Sequence, residues 1–199
     1  SCEGSPSACQ TCGDGITQGN EVCDAGINNG CQSCKKDCSG PVEVYQGNVV
    51  IKDKAKLDTL SGYSVIDGNL SVEFYKDGEI DLPELECVKG YMQVMYSDVT
   101  HLDGFSNVGY VGGFLKLQTN ANLANVDGLS GIDHVETLVI QDNDALLHLD
   151  GFQGLETIDK GLTIYNNKAL ESIAGLKNVS STLTGELTLS YNDALLSFT

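Results

Sequence analysis

Along residues 41–199 apolar and polar positions alternate in short bursts, and the bursts repeat. Four of them share one pattern: an apolar-x-apolar triplet, an Asn three residues after it, then a leucine. They are Leu115-x-Leu117 with Asn120 and Leu123, Leu138-x-Ile140 with Asn143 and Leu146, Leu162-x-Ile164 with Asn167 and Leu170, and Leu187-x-Leu189 with Asn192 and Leu195. Alternation with a period of two is the pattern of a strand that buries one face. Weaker copies stand upstream at Val49/Ile51, Leu70/Val72 and Met92/Val94. The seven starts, at 49, 70, 92, 115, 138, 162 and 187, are separated by steps of 21, 22, 23, 23, 24 and 25 residues. Self-similarity on this scale marks a solenoid, in which each repeat buries its apolar side only against its neighbours. The expected fold is therefore all-β: a short right-handed parallel β-helix of about seven coils of 21–25 residues.

A second apolar set follows each Asn in steps of three, as in Leu146, Leu149, Phe152, Leu155 and Ile158, and again in Leu170, Ile173, Leu176 and Val179. An amphipathic helix would mix steps of three and four, so this spacing suits a narrow coil turning corners. Gly104, Gly128, Gly151 and Gly175 interrupt the set at equivalent places, where a helix interior would be disfavoured. Each repeat thus reads as strand, corner, short strand, corner. Asn120, Asn143, Asn167 and Asn192 fall where the chain leaves the strand. Stacked at the spacing of neighbouring strands, about 4.7–4.9 Å, they can form an internal amide ladder. Such a ladder satisfies polar groups that would each cost about 1–3 kcal/mol if buried alone.

The organisation changes near Ser39-Gly40-Pro41. Residues 1–40 hold Cys2, Cys9, Cys12, Cys23, Cys31, Cys34 and Cys38, and the eighth cysteine is Cys87. An even count in a Gly-rich segment too poor in apolar residues for its own core reads as a disulfide knot, and hence as an oxidising compartment. Cys9-x-x-Cys12 and Cys31-x-x-Cys34 also have zinc-ligand spacing, but the remaining cysteines spoil a clean pair of pairs. Cys87 is expected to tie an early coil to the knot. The domains are then 1–40, a cysteine-rich cap, and 41–199, the β-helix. With no apolar run long enough to span a membrane and no leader, the sequence reads as a mature secreted chain.

Net charge is −17, and all 11 basic residues are lysines. Without arginine, and with this acidic excess, nucleic acid and anionic membrane surfaces are poor partners. Two Asn-x-Ser acceptor sequences occur, Asn69-Leu70-Ser71 and Asn178-Val179-Ser180.

The units Leu138-x-Ile140-x-x-Asn143-x-x-Leu146-x-x-Leu149-x-Gly151-Phe152 and Leu162-x-Ile164-x-x-Asn167-x-x-Leu170-x-x-Ile173-x-Gly175-Leu176 resemble the receptor L-domain family. These are extracellular β-helical modules of insulin- and epidermal-growth-factor-type receptors, with relatives in fungal cell-wall proteins. The resemblance covers about residues 45–199 and implies a protein ligand bound on one sheet. Residues Cys12 to Cys38 are similar to small secreted cysteine-rich repeats of the form CGDG…E-x-C-D-x-G…GC…C, with Asn29-Gly30 in place of the usual Asp-Gly.

The candidate binding face follows from the triplets, whose middle and following residues point outward. It comprises Gln93, Met95, Lys116, Gln118, Val139, Gln141, Thr163 and Tyr165, a stripe of low charge with exposed apolar members. No catalytic constellation emerges, and no enzyme activity is expected. His101 and His148 share one repeat position, in His-Leu-Asp-Gly-Phe, but lie two repeats apart, and His134 does not share it. Asp103, Asp127 and Asp150 form a ladder before corner glycines. Its ordinary reading is turn chemistry, the side chain bonding its own backbone; the sharper one is a weak calcium site. No other cofactor is called for. The function expected is extracellular recognition or adhesion at a cell surface or wall, with a protein or glycan partner. A self-associating wall protein and a carbohydrate-active β-helix enzyme are the alternatives. The last repeat stops before its coil closes, so the sequence reads as a fragment of a longer cell-surface or cell-wall protein, with dimerisation through that end as the alternative.

Overall fold

The computed structural model describes residues 43–180 and 182–196, so the predicted cysteine-rich cap at 1–40 lies outside the described residues. What is described is a β-solenoid of parallel strands. The short sheet is made of β1 (Val44–Gln46), β3 (Val65–Asp67), β5 (Cys87–Val88) and β7 (Tyr110–Val111), in that order. The main sheet has seven strands: β2 (Val49–Ile51), β4 (Leu70–Glu73), β6 (Met92–Met95), β8 (Phe114–Gln118), β9 (His134–Gln141), β10 (Thr157–Tyr165) and β11 (Leu187–Ser190). The seven triplet starts lie in one rank, Val49 beside Leu70, then Met92, Leu115, Leu138, Leu162 and Leu187. Seven strands in register enclose six turns of the coil.

The two sheets do not stay separate. In the first coils a short loop divides the short strand from the main strand. In β9 and β10 the two run together as one long bent strand. His134 and Val135 pair with Thr157 and Ile158, then the register shifts between Ile158 and Gly161 before the main ladder resumes. The shift inserts one extra residue that bends the strand around the corner, as a bulge does.

The third side of each coil explains the steps of three. Leu129 donates its backbone N–H to Val126, Ile132 to Leu129, Phe152 to Leu149 and Leu155 to Phe152, at 2.9–3.1 Å. Each apolar residue thus starts a tight turn that ends on the next, and each points inward. Short 3₁₀ turns form at Asp127–Leu129, Asp150–Phe152 and Ala174–Leu176. The one α-helix among the described residues, α1 (Lys54–Asp58), occupies the first coil, capped by the Asp53 carboxylate on Lys56 N–H.

The corner glycines have a different reason from the one the turn pattern suggests. A Cβ on Gly128 would overlap the Leu102 carbonyl oxygen of the preceding coil. On Gly151 it would overlap that of Val126, and on Gly175 that of Leu149. The backbone of each coil therefore lies directly on the one below, and only a hydrogen fits between them. The Asp side chains do not close these turns either, contrary to the turn-chemistry expectation. It is the backbone carbonyl that does so, with Asp103 accepting from Ser106, Asp127 from Ser130 and Asp150 from Gln153.

The core is one continuous column. Val72, Met92, Val94, Leu115, Leu117, Leu138 and Ile140 line it from the main sheet, and Leu102, Phe105, Leu129, Leu149 and Phe152 from the third side. At about 1.5–3 kcal/mol for each fully buried aliphatic or aromatic side chain, this column is the main source of stability. Cys87 is buried on β5 and is disulfide-bonded.

Candidate functional site

Three ranks of side chains cover the outer face of the main sheet. The middle rank runs Val50, Ser71, Gln93, Lys116, Val139, Thr163 and Thr188, each beside the next in register. The following rank runs Glu73, Met95, Gln118, Gln141, Tyr165 and Ser190. All eight residues predicted for the face lie on it together, each half-exposed. Ser71 departs from the outward pattern: it is only 3% exposed because Gln93 lies over it and donates from Nε2 to its Oγ at 2.8 Å.

The third rank has no signal in the sequence. The residue after each main strand adopts a left-handed backbone: Phe74, Tyr96, Thr119, Asp142, Asn166 and Tyr191, all with φ of 53–57°. None is glycine, so Phe74, Tyr96, Thr119 and Tyr191 each carry a steric cost of about 1–2 kcal/mol, while Asp142 and Asn166 are of the types that tolerate this region best. The turn throws these side chains outward at the edge of the face. Phe74 and Tyr191 are 55% and 66% exposed. Phe74 stacks on Tyr96 with ring centroids 5.1 Å apart and planes within 10°. Across the sheet, Tyr91 stacks on Phe114 at 4.4 Å, so paired aromatic rings stand at both edges of the early coils.

The Asn ladder fixes this geometry from inside. Asn120 and Asn143 are fully buried, and the Asn143 Oδ1 accepts from the Asn120 backbone N–H and from its Nδ2, both at 3.1 Å. Nδ2 of Asn143 donates to the Leu117 carbonyl at 3.0 Å. Asn167 and Asn192 repeat the pattern, with the Asn167 N–H donating to Asn192 Oδ1 at 3.0 Å and Asn192 Nδ2 to the Ile164 carbonyl at 2.9 Å. The slot extends upstream without asparagine. Ser97 donates its N–H to Asn120 Oδ1 at 3.1 Å, and Ser97 Oγ accepts from Tyr75 N–H at 3.2 Å. Counting five residues on from Met92 and Leu70 would have found both. The Tyr75 ring fills the slot, and its hydroxyl is buried without a hydrogen-bond partner. Burial pushes its ionisation above the ordinary range.

Charge on the candidate face is sparse. Of its eight residues only Lys116 is charged, in a chain of net charge −17. Polar groups at its edge bond to one another: Asn166 Nδ2 donates to Asp142 Oδ1 at 2.6 Å and Gln141 Nε2 to Asp142 Oδ2 at 2.9 Å.

Titratable groups elsewhere pair locally and do not converge. His101 Nδ1 lies 3.3 Å from Asp103, His148 Nδ1 3.4 Å from Asp150, and His134 Nε2 2.8 Å from Asp159. Asp127, Ser130, His148, Asp150 and Gln153 line a shallow, open recess on the third side. Asp103, Asp127 and Asp150 do fall in successive coils. Among the described residues, however, no three His, Cys, Asp or Glu side chains come together in a way that could hold a metal ion. Among the described residues, Glu79 is the one carboxylate held below its ordinary range. Partial burial works in the opposite direction but is outweighed by hydrogen bonds from the Thr100 hydroxyl, at 2.7 Å, and backbone N–H, with the nearby His101 adding to them. Among the described residues, no helix is long and apolar enough to cross a membrane. No protein-family model, curated protein or solved structure matches this chain.

Proposed function

We propose that the chain is an extracellular recognition module, akin to receptor L-domains, that binds a protein partner through the outer face of its main sheet. The supporting observation is the contrast between that face and the rest of the molecule. Gln93, Met95, Lys116, Gln118, Val139, Gln141, Thr163 and Tyr165 make a flat, register-locked surface with one charge, edged by exposed aromatics. Low charge, amides, Met and Tyr are what protein-binding surfaces concentrate. The partner is then a protein at a cell surface or wall. The disulfide at Cys87 fits the same secreted architecture. The reading is non-enzymatic; among the described residues, each of the three histidines lies beside an aspartate of its own neighbourhood.

The test is capture of partners from intact cells and extracellular matrix. Met95→Lys and Tyr165→Asp should each weaken capture at least tenfold, while Lys177→Glu, on another side of the coil, should not. Equal capture by all variants would refute the face. Retention of a soluble glycan instead of a protein would transfer the surface to a different ligand class.

A further inference from the structure

The two Asn-x-Ser sequences sit in opposite environments. Asn69 is clamped between coils: its N–H donates to Asn48 Oδ1 at 2.9 Å, and its own Oδ1 accepts from Tyr91 N–H at 3.0 Å. This is a second, shorter amide stack. Gly90 packs onto it so closely that a Cβ there would collide with Asn69 Oδ1. Ser71, the third residue of that sequence, is buried beneath Gln93. Asn178 and Ser180 are both exposed, beyond the 3₁₀ turn Ala174–Leu176. Asn178 Nδ2 donates to the Gln153 carbonyl at 2.7 Å, just as Asn107 donates to Pro83 at 2.6 Å three coils earlier along the solenoid. That bond occupies one of two amide hydrogens and leaves the other free.

We propose that Asn178 is the N-glycan acceptor of this chain and that Asn69 is not. The co-reactant is an oligosaccharide carried on a polyprenyl pyrophosphate. One Nδ2–H bond of Asn178 breaks, its hydrogen leaving as a proton. The nitrogen bonds to the anomeric carbon, and the anomeric C–O bond breaks with its electron pair departing on the lipid pyrophosphate. Asn178 lies on the return side of the coil, away from the main strands, so the glycan leaves the recognition face uncovered. At Asn69 the sugar would have to leave from a side chain locked into coil stacking, so a chain modified there does not complete its fold. The inference rests on the extracellular reading above.

The full chain, placed behind a secretory leader, is expressed in eukaryotic cells, and the medium is examined by glycosidase mobility shift, peptide mass spectrometry and thiol titration. One glycan is expected, on the peptide containing Asn178. It should be lost in Ser180→Ala and kept in Ser71→Ala, which removes the other acceptor sequence while leaving the Asn69 amide in place. An unmodified Asn178 in secreted chain with oxidised cysteines would overturn the assignment alone, as would a glycan on Asn69 of folded, secreted chain. Chain retained in the cell with reduced cysteines would overturn the extracellular reading, and the inference with it.

Discussion

Replacing Asn143 with Leu isolates the ladder, because the two side chains share one branched four-atom skeleton and no cavity opens. Asn143 is fully buried, and the substitution removes four hydrogen bonds: two accepted from Asn120 at 3.1 Å, one donated to Leu117 at 3.0 Å and a long one donated to Asn167 Oδ1 at 3.4 Å. The Asn120 N–H then has no acceptor and costs about 1–3 kcal/mol, and the other two bonds of normal length about 0.5–1.5 kcal/mol each, for a total of about 2–6 kcal/mol. Asn167 Oδ1 is spared, since it still accepts the Asn143 backbone N–H at 3.1 Å. Against a typical domain stability of about 5–15 kcal/mol, this loss is large. The assay is urea denaturation followed by circular dichroism and tyrosine fluorescence, the chain having no tryptophan. The midpoint should fall with little change in slope. The same change at half-buried Asn192, the last described rung, should cost less than half as much, because water can reach the groups it uncovers. A loss below about 1 kcal/mol at Asn143, or an equal loss at both rungs, would refute the ladder as a source of stability.

Other outcomes follow from the same contacts. Gly151→Ala should cost about 3 kcal/mol or more in the same denaturation assay, because its Cβ would meet the Val126 carbonyl. Gly109→Ala, with only an ordinary contact at 3.6 Å, should be neutral or stabilising by up to about 1 kcal/mol. Tyr75→Phe removes a buried hydroxyl without a partner and should raise stability by about 1 kcal/mol, a gain a thermal melt would register. Because burial raises the Tyr75 ionisation, its neutral form favours folding below the unfolded value near 10.0. That contribution disappears as pH rises through the folded value, so Tyr75→Phe should also flatten the alkaline arm of the melting profile. Glu79 has the opposite sign: held low in the folded state, it stabilises above its unfolded value near 4.5 and loses that effect as pH falls through the folded one. Glu79→Gln should therefore melt with less sensitivity to acid than the parent, and an identical acid arm would rule that out.

The fold was legible because a solenoid writes its period into the sequence. Triplets, Asn and steps of three were each visible, and the register rank from Val49 to Leu187 follows from them directly. The face was legible for the same reason, since outward positions are set by strand alternation. The left-handed rank was not. Phe74, Thr119 and Tyr191 have no composition in common, and their conformation is imposed by the corner they occupy rather than by what they are. The upstream slot was hidden because Ser97 and Tyr75 replace asparagine by different means, one with a hydroxyl and one with a ring. The glycines were visible, but their reason was not: it lies in the neighbouring coil, about 25 residues away in the chain.

The amide stack also has a direction. Each main-chain N–H from Ser97 to Asn167 donates to the side chain one winding later, so the backbone N–H of every level is sealed by its successor. During synthesis a level would stay ajar until the next has left the ribosome, and maturation would trail elongation by one winding. Deuterium uptake should then be slowest at Asn120 and Asn143 and quicken toward Asn192, and uniform exchange along the stack would show that its polarity has no consequence.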